Sequence, residues 1–148
     1  MKAFLYAIRG LGWAVRHERN MRIHLCFAFY VILAGLVTGL SVPEWAAALL
    51  CIALVIALEL VNTAVERCCD AVTKDYSVDI KLAKDCAAGA VFAAAVLSAI
   101  TGCLLFFTNG RPAAAWAFAR TYPVWAGLIV LTLPVWLFVI FSKRRSDP

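Results

Sequence analysis

Four long apolar stretches decide what this chain can fold into. They lie at about residues 23–40, 46–65, 86–107 and 124–141. Each is close to the roughly 20 residues that an α-helix needs to cross the hydrocarbon core of a bilayer. A chain of 148 residues, 64% of them hydrophobic, is too small to cover all four stretches with polar surface of its own. The sequence therefore predicts an all-α integral membrane bundle with four transmembrane helices.

The residues ahead of the first span have a different pattern. Apolar side chains such as Phe4 and Ile8 recur at spacings of three and four, while Lys2 and Arg9 fall on another face. This is the periodicity of an amphipathic helix, and its basic face is typical of a helix that lies on a membrane surface. We expect this surface helix over residues 1–22. A three-span core (23–107) follows it, and then a C-terminal unit (112–148) with a connector, the fourth span and a basic tail.

Basic residues are distributed unevenly among the connections between these spans. Twelve of the 14 Lys and Arg residues lie before the first span, between the second and third spans, or after the fourth. By the positive-inside rule, both termini and the 66–85 connection face the cytoplasm in a multi-pass protein of the cytoplasmic membrane. No basic run is interleaved with aromatic residues, so the net charge of +5 is not expected to reflect nucleic-acid binding.

The second span carries polar side chains at a depth where charge is costly. Glu59 lies within the apolar stretch, and Asn62, Glu66 and Asp70 follow it at intervals of three, four and four residues. On a helix these side chains share one stripe, with Glu59 about 10 Å deeper than Glu66. A solvated helix end explains Asp70 as well as a functional role does. It does not explain Glu59, because a carboxylate inside a membrane needs a partner, a metal or a role.

Further polar residues occur at the same end of the first and third spans. They are Glu18, Asn20, Arg22, His24, Asp75, Tyr76, Lys84 and Asp85. Acidic and basic groups from three helices at one depth can hold a metal ion and phosphates. With a deeper carboxylate beside them, they suit metal-dependent phosphoryl transfer from a nucleotide to a membrane alcohol.

A proton or cation conductor that uses Glu59 as a relay is the rival hypothesis. A conduction path needs polar groups through the full depth of the membrane. The first, third and fourth spans offer almost none beyond Ser98 and Thr101. The sequence therefore favours the enzyme over the conductor.

Two motifs carry a family resemblance: ELVNTAVERCCD at residues 59–70 and AKDCAAGAV at residues 83–91. Together they resemble the small bacterial integral-membrane diacylglycerol kinase and undecaprenol kinase family. The upstream segments ERNMRIH (18–24) and PEW (43–45) resemble the undecaprenol kinase branch. The similarity covers about residues 3–107 and leaves out the fourth span. As in that family, the sequence has no Walker loop and no glycine motif of the protein kinases.

The resemblance implies a homotrimer that phosphorylates a lipid hydroxyl with ATP and Mg²⁺. Matched position by position, Glu59 is the catalytic base, and Glu18 and Glu66 are the magnesium ligands. The implied nucleotide-binding residues are Tyr6, Glu18, Glu66, Asp70, Asp75, Tyr76, Ser77, Lys84 and Asp85. Supporting roles are implied for Asn62, Arg9, Asn20 and Arg22.

The expected lipid substrate is undecaprenol, which would give undecaprenyl phosphate, and diacylglycerol is the alternative. The resemblance ends before the fourth span, and no chemistry-bearing residue lies in it. Residues 124–148 are therefore expected to be dispensable for catalysis.

Overall fold

The computed structural model describes residues 2–72, 75 and 77–142. Over this part of the chain it contains α-helices and no β-strand. In order, they are α1 (Lys2–His17), α2 (Arg19–Thr38), α3 (Val42–Val72), α4 (Val78–Phe106), α5 (Arg111–Thr121) and α6 (Pro123–Phe141). Four of them, α2, α3, α4 and α6, are long and apolar enough to cross a membrane. The predicted all-α membrane bundle is confirmed.

The predicted surface helix ends at His17, five residues before its expected boundary. Glu18 has an extended backbone (φ −94°, ψ 119°) and separates α1 from α2. Its N–H donates to the carbonyl of Ala14 at 2.8 Å, which closes the last turn of α1. The first half of α1 is open, with Phe4 79% and Ile8 68% exposed. Such a face suits a helix that rests on a lipid surface.

The turn from α2 to α3 accounts for the two glycines of the first span. Gly39 ends α2 in the left-handed conformation (φ +69°), and its N–H donates to the carbonyl of Gly35 at 3.0 Å. A Cβ on Gly35 would lie 2.7 Å from the ring of Trp45. Both glycines therefore serve the α2–α3 turn of this chain.

Helices α3 and α4 extend past the predicted spans at the end of the bundle where α1 lies. Helix α4 begins at Val78, where the Ser77 hydroxyl accepts from the Ile80 N–H at 3.5 Å. Hydropathy marks only the part of a helix that faces lipid, so the polar residues 78–85 were predicted as part of a connection. Helix α4 packs mainly on α3 and leaves an opposite face that includes Gly89 and Ala93 exposed.

The predicted connector after α4 contains the helix α5. It begins after Gly110, which has a left-handed backbone (φ +72°), and Pro112 lies in its first turn. The buried Arg111 guanidinium donates to the Leu105 carbonyl and to both carboxylate oxygens of Glu44, each at 2.7 Å. This ion pair ties α5 to the start of α3.

Helix α6 packs on α2. The hydroxyls of Tyr30 and Thr132 are hydrogen-bonded at 2.7 Å, and the rings of Phe29 and Trp136 lie 5.8 Å apart. At one end of this contact, Arg22 of α2 donates to the carbonyl of Ile140. The start of α2 and the end of α6 therefore meet at the same end of the bundle.

Candidate active site

The predicted stripe of polar side chains is present on α3. Glu59 is 2% exposed and Asn62 is 6% exposed, so both are buried within the helix bundle. The Asn62 side-chain N–H donates to Glu66 Oε1 at 3.1 Å. Asn62 thus orients Glu66 rather than Glu59, and its own Oδ1 is buried with no hydrogen-bond partner among the residues that the structure describes.

Helix α2 places His24 against the buried carboxylate. His24 Nε2 lies 3.9 Å from Glu59 Oε2, which is too long for a direct hydrogen bond but short enough for an ion pair when the imidazole is protonated. The sequence marked His24 as one of several polar residues at this depth. Its contact with Glu59 depends on how α2 packs on α3, which no local pattern reveals.

Glu18 comes to the same place from the junction of α1 and α2. The negative charges of Glu18 and Glu66 both repel that of Glu59. In the described part of the chain, no lysine or arginine forms an ion pair with any of these three carboxylates. We call Glu18, Glu59 and Glu66 the carboxylate cluster.

The donor chemistry of the carboxylate cluster fits a magnesium ion held together with phosphates. Across residues 2–72, 75 and 77–142, no group of three or more His, Cys, Asp and Glu side chains is arranged to hold a metal alone. Magnesium is usually bound by one or two carboxylates plus substrate phosphates, so a complete protein cage is not required. Glu18 and Glu66 are the two carboxylates nearer the helix ends, and the unpartnered oxygen of Asn62 lies beside Glu66.

The predicted nucleotide-binding residues fall into two groups. Lys84 of α4 forms an ion pair with Asp70 of α3 at 2.5 Å, at the end of the hairpin that leads to the cluster. Ser77 caps α4, and Asp75 and Asp85 are exposed near it. Tyr76 and the basic tail, residues 143–148, lie outside the described residues.

The other predicted residues lie on α1 and at its junction with α2. Tyr6, Arg9 and Asn20 are exposed. Within the described residues, no hydrogen bond or ion pair connects these three side chains to the carboxylate cluster. The structure therefore brings together Glu18, Glu59, Asn62 and Glu66, and it leaves this second group at the surface.

An aromatic anchor that the sequence did not indicate holds α1 across the end of α3. The Arg67 guanidinium lies 4.9 Å from the centre of the Trp13 ring. Trp13 also stacks on His17, whose Nδ1 is 2.9 Å from the Trp13 carbonyl oxygen. Arg67 follows Glu66 directly, so this anchor holds α1 beside the carboxylate cluster.

Arg22 does not face the carboxylate cluster. Its buried guanidinium donates to two backbone carbonyls, that of Arg16 at 3.0 Å and that of Ile140 at 3.3 Å. The neighbouring Arg19 lies over the ring of Phe141 at 4.7 Å. Both basic residues at the start of α2 therefore contact the end of α6.

An apolar groove of about 620 Å³ runs between α2, α3 and α4. It is lined by Phe27, Ala28, Val31, Ala48, Cys51, Ile52, Val55, Ile56, Phe92, Ala95, Val96, Ser98, Ala99, Thr101, Gly102, Cys103, Phe106 and Phe107, and by one charged or titratable nitrogen side chain, His24. On α4 the lining from Phe92 to Phe106 covers about 21 Å of helix. The groove thus follows much of the membrane depth and reaches the histidine that touches Glu59.

Comparison with known proteins places these features in a family context. The family model described as Prokaryotic diacylglycerol kinase matches residues 5–106. The undecaprenol kinase of Bacillus subtilis is 42% identical over 105 residues, which cover 71% of this chain and 85% of that protein. The diacylglycerol kinase of Synechocystis sp. is 43% identical over 105 residues, which cover 70% of this chain and 60% of that protein. No solved structure matches significantly. The family match ends with α4, so α5 and α6 lie beyond it.

Proposed function

Because the chain belongs to the prokaryotic diacylglycerol kinase family and is a lipid kinase, we propose that it transfers the γ-phosphate of ATP to undecaprenol. The observation that carries the choice of lipid is the apolar groove that ends at His24, beside the buried Glu59. The similarity to an undecaprenol kinase over 85% of that protein supports the same choice. Diacylglycerol is the alternative substrate.

The length of the groove along α4 suits an alcohol with a long hydrocarbon chain. A hydrocarbon chain lying along α4 from Phe106 to Phe92 is in contact with apolar side chains for most of the roughly 30 Å hydrocarbon core. Its hydroxyl then reaches the end of the groove that His24 lines.

Glu59 is the proposed general base. Its carboxylate accepts the proton of the lipid hydroxyl as that oxygen attacks the γ-phosphorus, and the bond to the bridging oxygen of ADP breaks. His24, 3.9 Å from Glu59, stands where it can orient the hydroxyl or the carboxylate. The burial of Glu59 suits this role because a base for this reaction must meet an alcohol that stays within the membrane.

Glu18 and Glu66 are the proposed magnesium ligands, and Asn62 fixes the orientation of Glu66 through the bond at 3.1 Å. A magnesium ion bound there would neutralise charge on the phosphates of ATP. Lys84, Asp70, Asp75, Tyr76, Ser77, Asp85 and Tyr6 are the proposed nucleotide contacts, with Arg9 and Asn20 in support. In this arrangement the nucleotide lies at the α1 end of the bundle, where the basic connections of the chain predict the cytoplasm.

We also propose that the protein assembles as a homotrimer. The exposed face of α4 contains Gly89 and Ala93, small residues that allow helices to approach closely. That face lies opposite the contact with α3, so it is open to a second copy.

The proposed function is tested by phosphate transfer from labelled ATP in mixed micelles, with the purified full-length protein. Undecaprenol, a short isoprenoid alcohol and a diacylglycerol are compared at equal mole fraction, with Glu59→Gln as the inactive control. Preference for undecaprenol over both other lipids supports the proposal. Preference for diacylglycerol would keep the reaction and change the substrate, and transfer to none of them would contradict the proposed function.

A further inference from the structure

The end of α6 is attached to the part of the chain that holds Glu18. Arg22 lies four residues after Glu18. One of its two terminal guanidinium nitrogens donates to the Arg16 carbonyl of α1, and the other donates to the Ile140 carbonyl of α6. Residues 16 and 140 each lie in the last turn of their helix. One side chain thus joins the carboxyl ends of two helices that are far apart in sequence.

The partial negative charge at the end of α6 helps to compensate the positive charge of Arg22. The last four carbonyls of a helix lack intrahelical donors and carry partial negative charge. The Arg22 side chain is buried. Within residues 2–72, 75 and 77–142, its Nε has no hydrogen-bond partner and none of its hydrogen bonds reaches a carboxylate. The two helix ends therefore provide the charge that compensates a buried cation, and α6 supplies half of it.

One further contact holds the end of α6 at this corner, because the Arg19 guanidinium lies over the Phe141 ring. Val15 of α1 and Phe138 of α6 line a small cavity of about 100 Å³ beside Arg22. Glu18 has the only non-helical backbone between α1 and α2. The angle between those helices therefore affects where its carboxylate points, and the bond from Arg22 to the Arg16 carbonyl is one of the contacts that hold α1 against α2.

We infer that Arg22 is a positioning residue for the magnesium ligand Glu18, and that α6 holds the Arg22 side chain in place through the Ile140 carbonyl. This inference rests on the proposed function, since it assigns α6 a part in building the proposed metal site. It also revises the expectation that residues 124–148 are dispensable for catalysis.

The first test is a magnesium titration of lipid phosphorylation by the full-length protein and its Arg22→Gln and Arg22→Lys variants. Loss of a group that bonds directly to a metal ligand typically weakens metal binding by about 10- to 100-fold. Arg22 acts on Glu18 only through the packing of α1 on α2, so Arg22→Gln should raise the half-saturating Mg²⁺ concentration by about tenfold, the lower end of that range. Arg22→Lys should raise it less, because an ammonium keeps the charge but cannot donate as a planar fork. Tyr30→Phe, which removes another α2–α6 hydrogen bond far from Glu18, is the matched control and should not shift the titration.

A purely structural role for Arg22 gives a different result. In that case the variants lose active protein, so the maximal rate falls while the half-saturating Mg²⁺ concentration stays the same. That outcome would overturn the inference, as would an equal shift in Tyr30→Phe.

A binding measurement keeps the inference separate from the choice of lipid. Magnesium with a non-hydrolysable ATP analogue should raise the thermal midpoint of the wild type, since a ligand that binds only the folded state stabilises it. The same stabilisation should require higher Mg²⁺ in Arg22→Gln. A wild type that binds Mg²⁺ and the analogue but phosphorylates no lipid would contradict the proposed function alone. Equal stabilisation of both proteins at the same Mg²⁺ concentration would refute the role of Arg22, and no stabilisation of the wild type would contradict the metal site on which that role depends.

The part played by α6 is tested by combining Arg22→Gln with Phe141→Leu. Phe141→Leu removes the ring under Arg19 and should shift the magnesium titration in the same direction by a smaller factor. If both residues act through the same corner, the double variant should show little shift beyond that of Arg22→Gln. Independent, multiplying shifts would show that α6 does not act through Arg22.

Discussion

Replacing Glu59 by glutamine removes the proposed base and keeps the shape of the side chain. A positioned general base contributes about 10²–10⁴ to a rate, which corresponds to roughly 3–5.5 kcal/mol of activation free energy. Glu59 is 2% exposed, so bulk water has little access to take over its role. We therefore expect kcat to fall by about 10³ or more, within the upper half of that range.

The same substitution should not weaken the fold. Glu18 and Glu66 both repel the charge of Glu59, so a neutral amide relieves repulsion within the carboxylate cluster. In the described part of the chain, the one basic group near the Glu59 carboxylate is His24, at 3.9 Å, and it forms an ion pair only when its imidazole is protonated. We expect the thermal midpoint of Glu59→Gln to equal or exceed that of the wild type, and its KM for ATP to stay unchanged.

The assay measures initial rates with saturating undecaprenol and ATP, beside thermal unfolding of the same preparations. Glu59→Asp is the control, because it retains a carboxylate that is drawn back by one methylene. A misplacement of about 1 Å can cost 10²-fold, so this variant should be slow but clearly faster than Glu59→Gln. More than about a tenth of wild-type activity in Glu59→Gln, or equal rates in the two variants, would refute the general-base role.

Three further outcomes follow from the geometry. Asn62→Leu removes the donor to Glu66 and should raise the half-saturating Mg²⁺ concentration by about tenfold in a magnesium titration; an unchanged titration would contradict the orienting role. Ala99→Phe places a ring in the apolar groove and should raise KM for undecaprenol but not for ATP in steady-state kinetics, whereas Val130→Phe on the exposed face of α6 should change neither. Glu44→Gln weakens the bonds to the buried guanidinium on α5 by about 2 kcal/mol. It should lower the thermal midpoint by roughly 4–8 °C with kcat unaltered, and an unchanged midpoint would show that this ion pair adds no stability.

The sequence predicted the spanning helices well because each is a local property of about 20 apolar residues. It placed the ends of the helices less well. Helix α4 begins at Val78, ahead of the apolar stretch. Lys81 and Lys84 are therefore part of the helix although they are not apolar. Helix α2 begins at Arg19, four residues ahead of the predicted span, and its first basic residues, Arg19 and Arg22, contact the end of α6.

In the candidate site, the residues that share one helix could be predicted from the sequence, whereas the contacts between helices could not. Glu59, Asn62 and Glu66 follow from the helical period alone, and the structure places them on one face of α3. The contact of His24 with Glu59 requires two helices to pack in one register. The bond from Arg22 joins residues 118 positions apart, and nothing in the composition of α6 signals that its last turn would accept it.

The meeting of Arg22 with Ile140 also matters for anything attached to this protein. A chain that crosses a bilayer four times returns to the side where its first crossing began. A domain fused after Ser142 would therefore stand beside the carboxylate cluster, whereas one fused after α4 would stand on the opposite face of the membrane. An enzyme that consumes the phosphorylated lipid could be tethered behind α6 and receive each product molecule on the side of the proposed active site, with no need to move it across the bilayer.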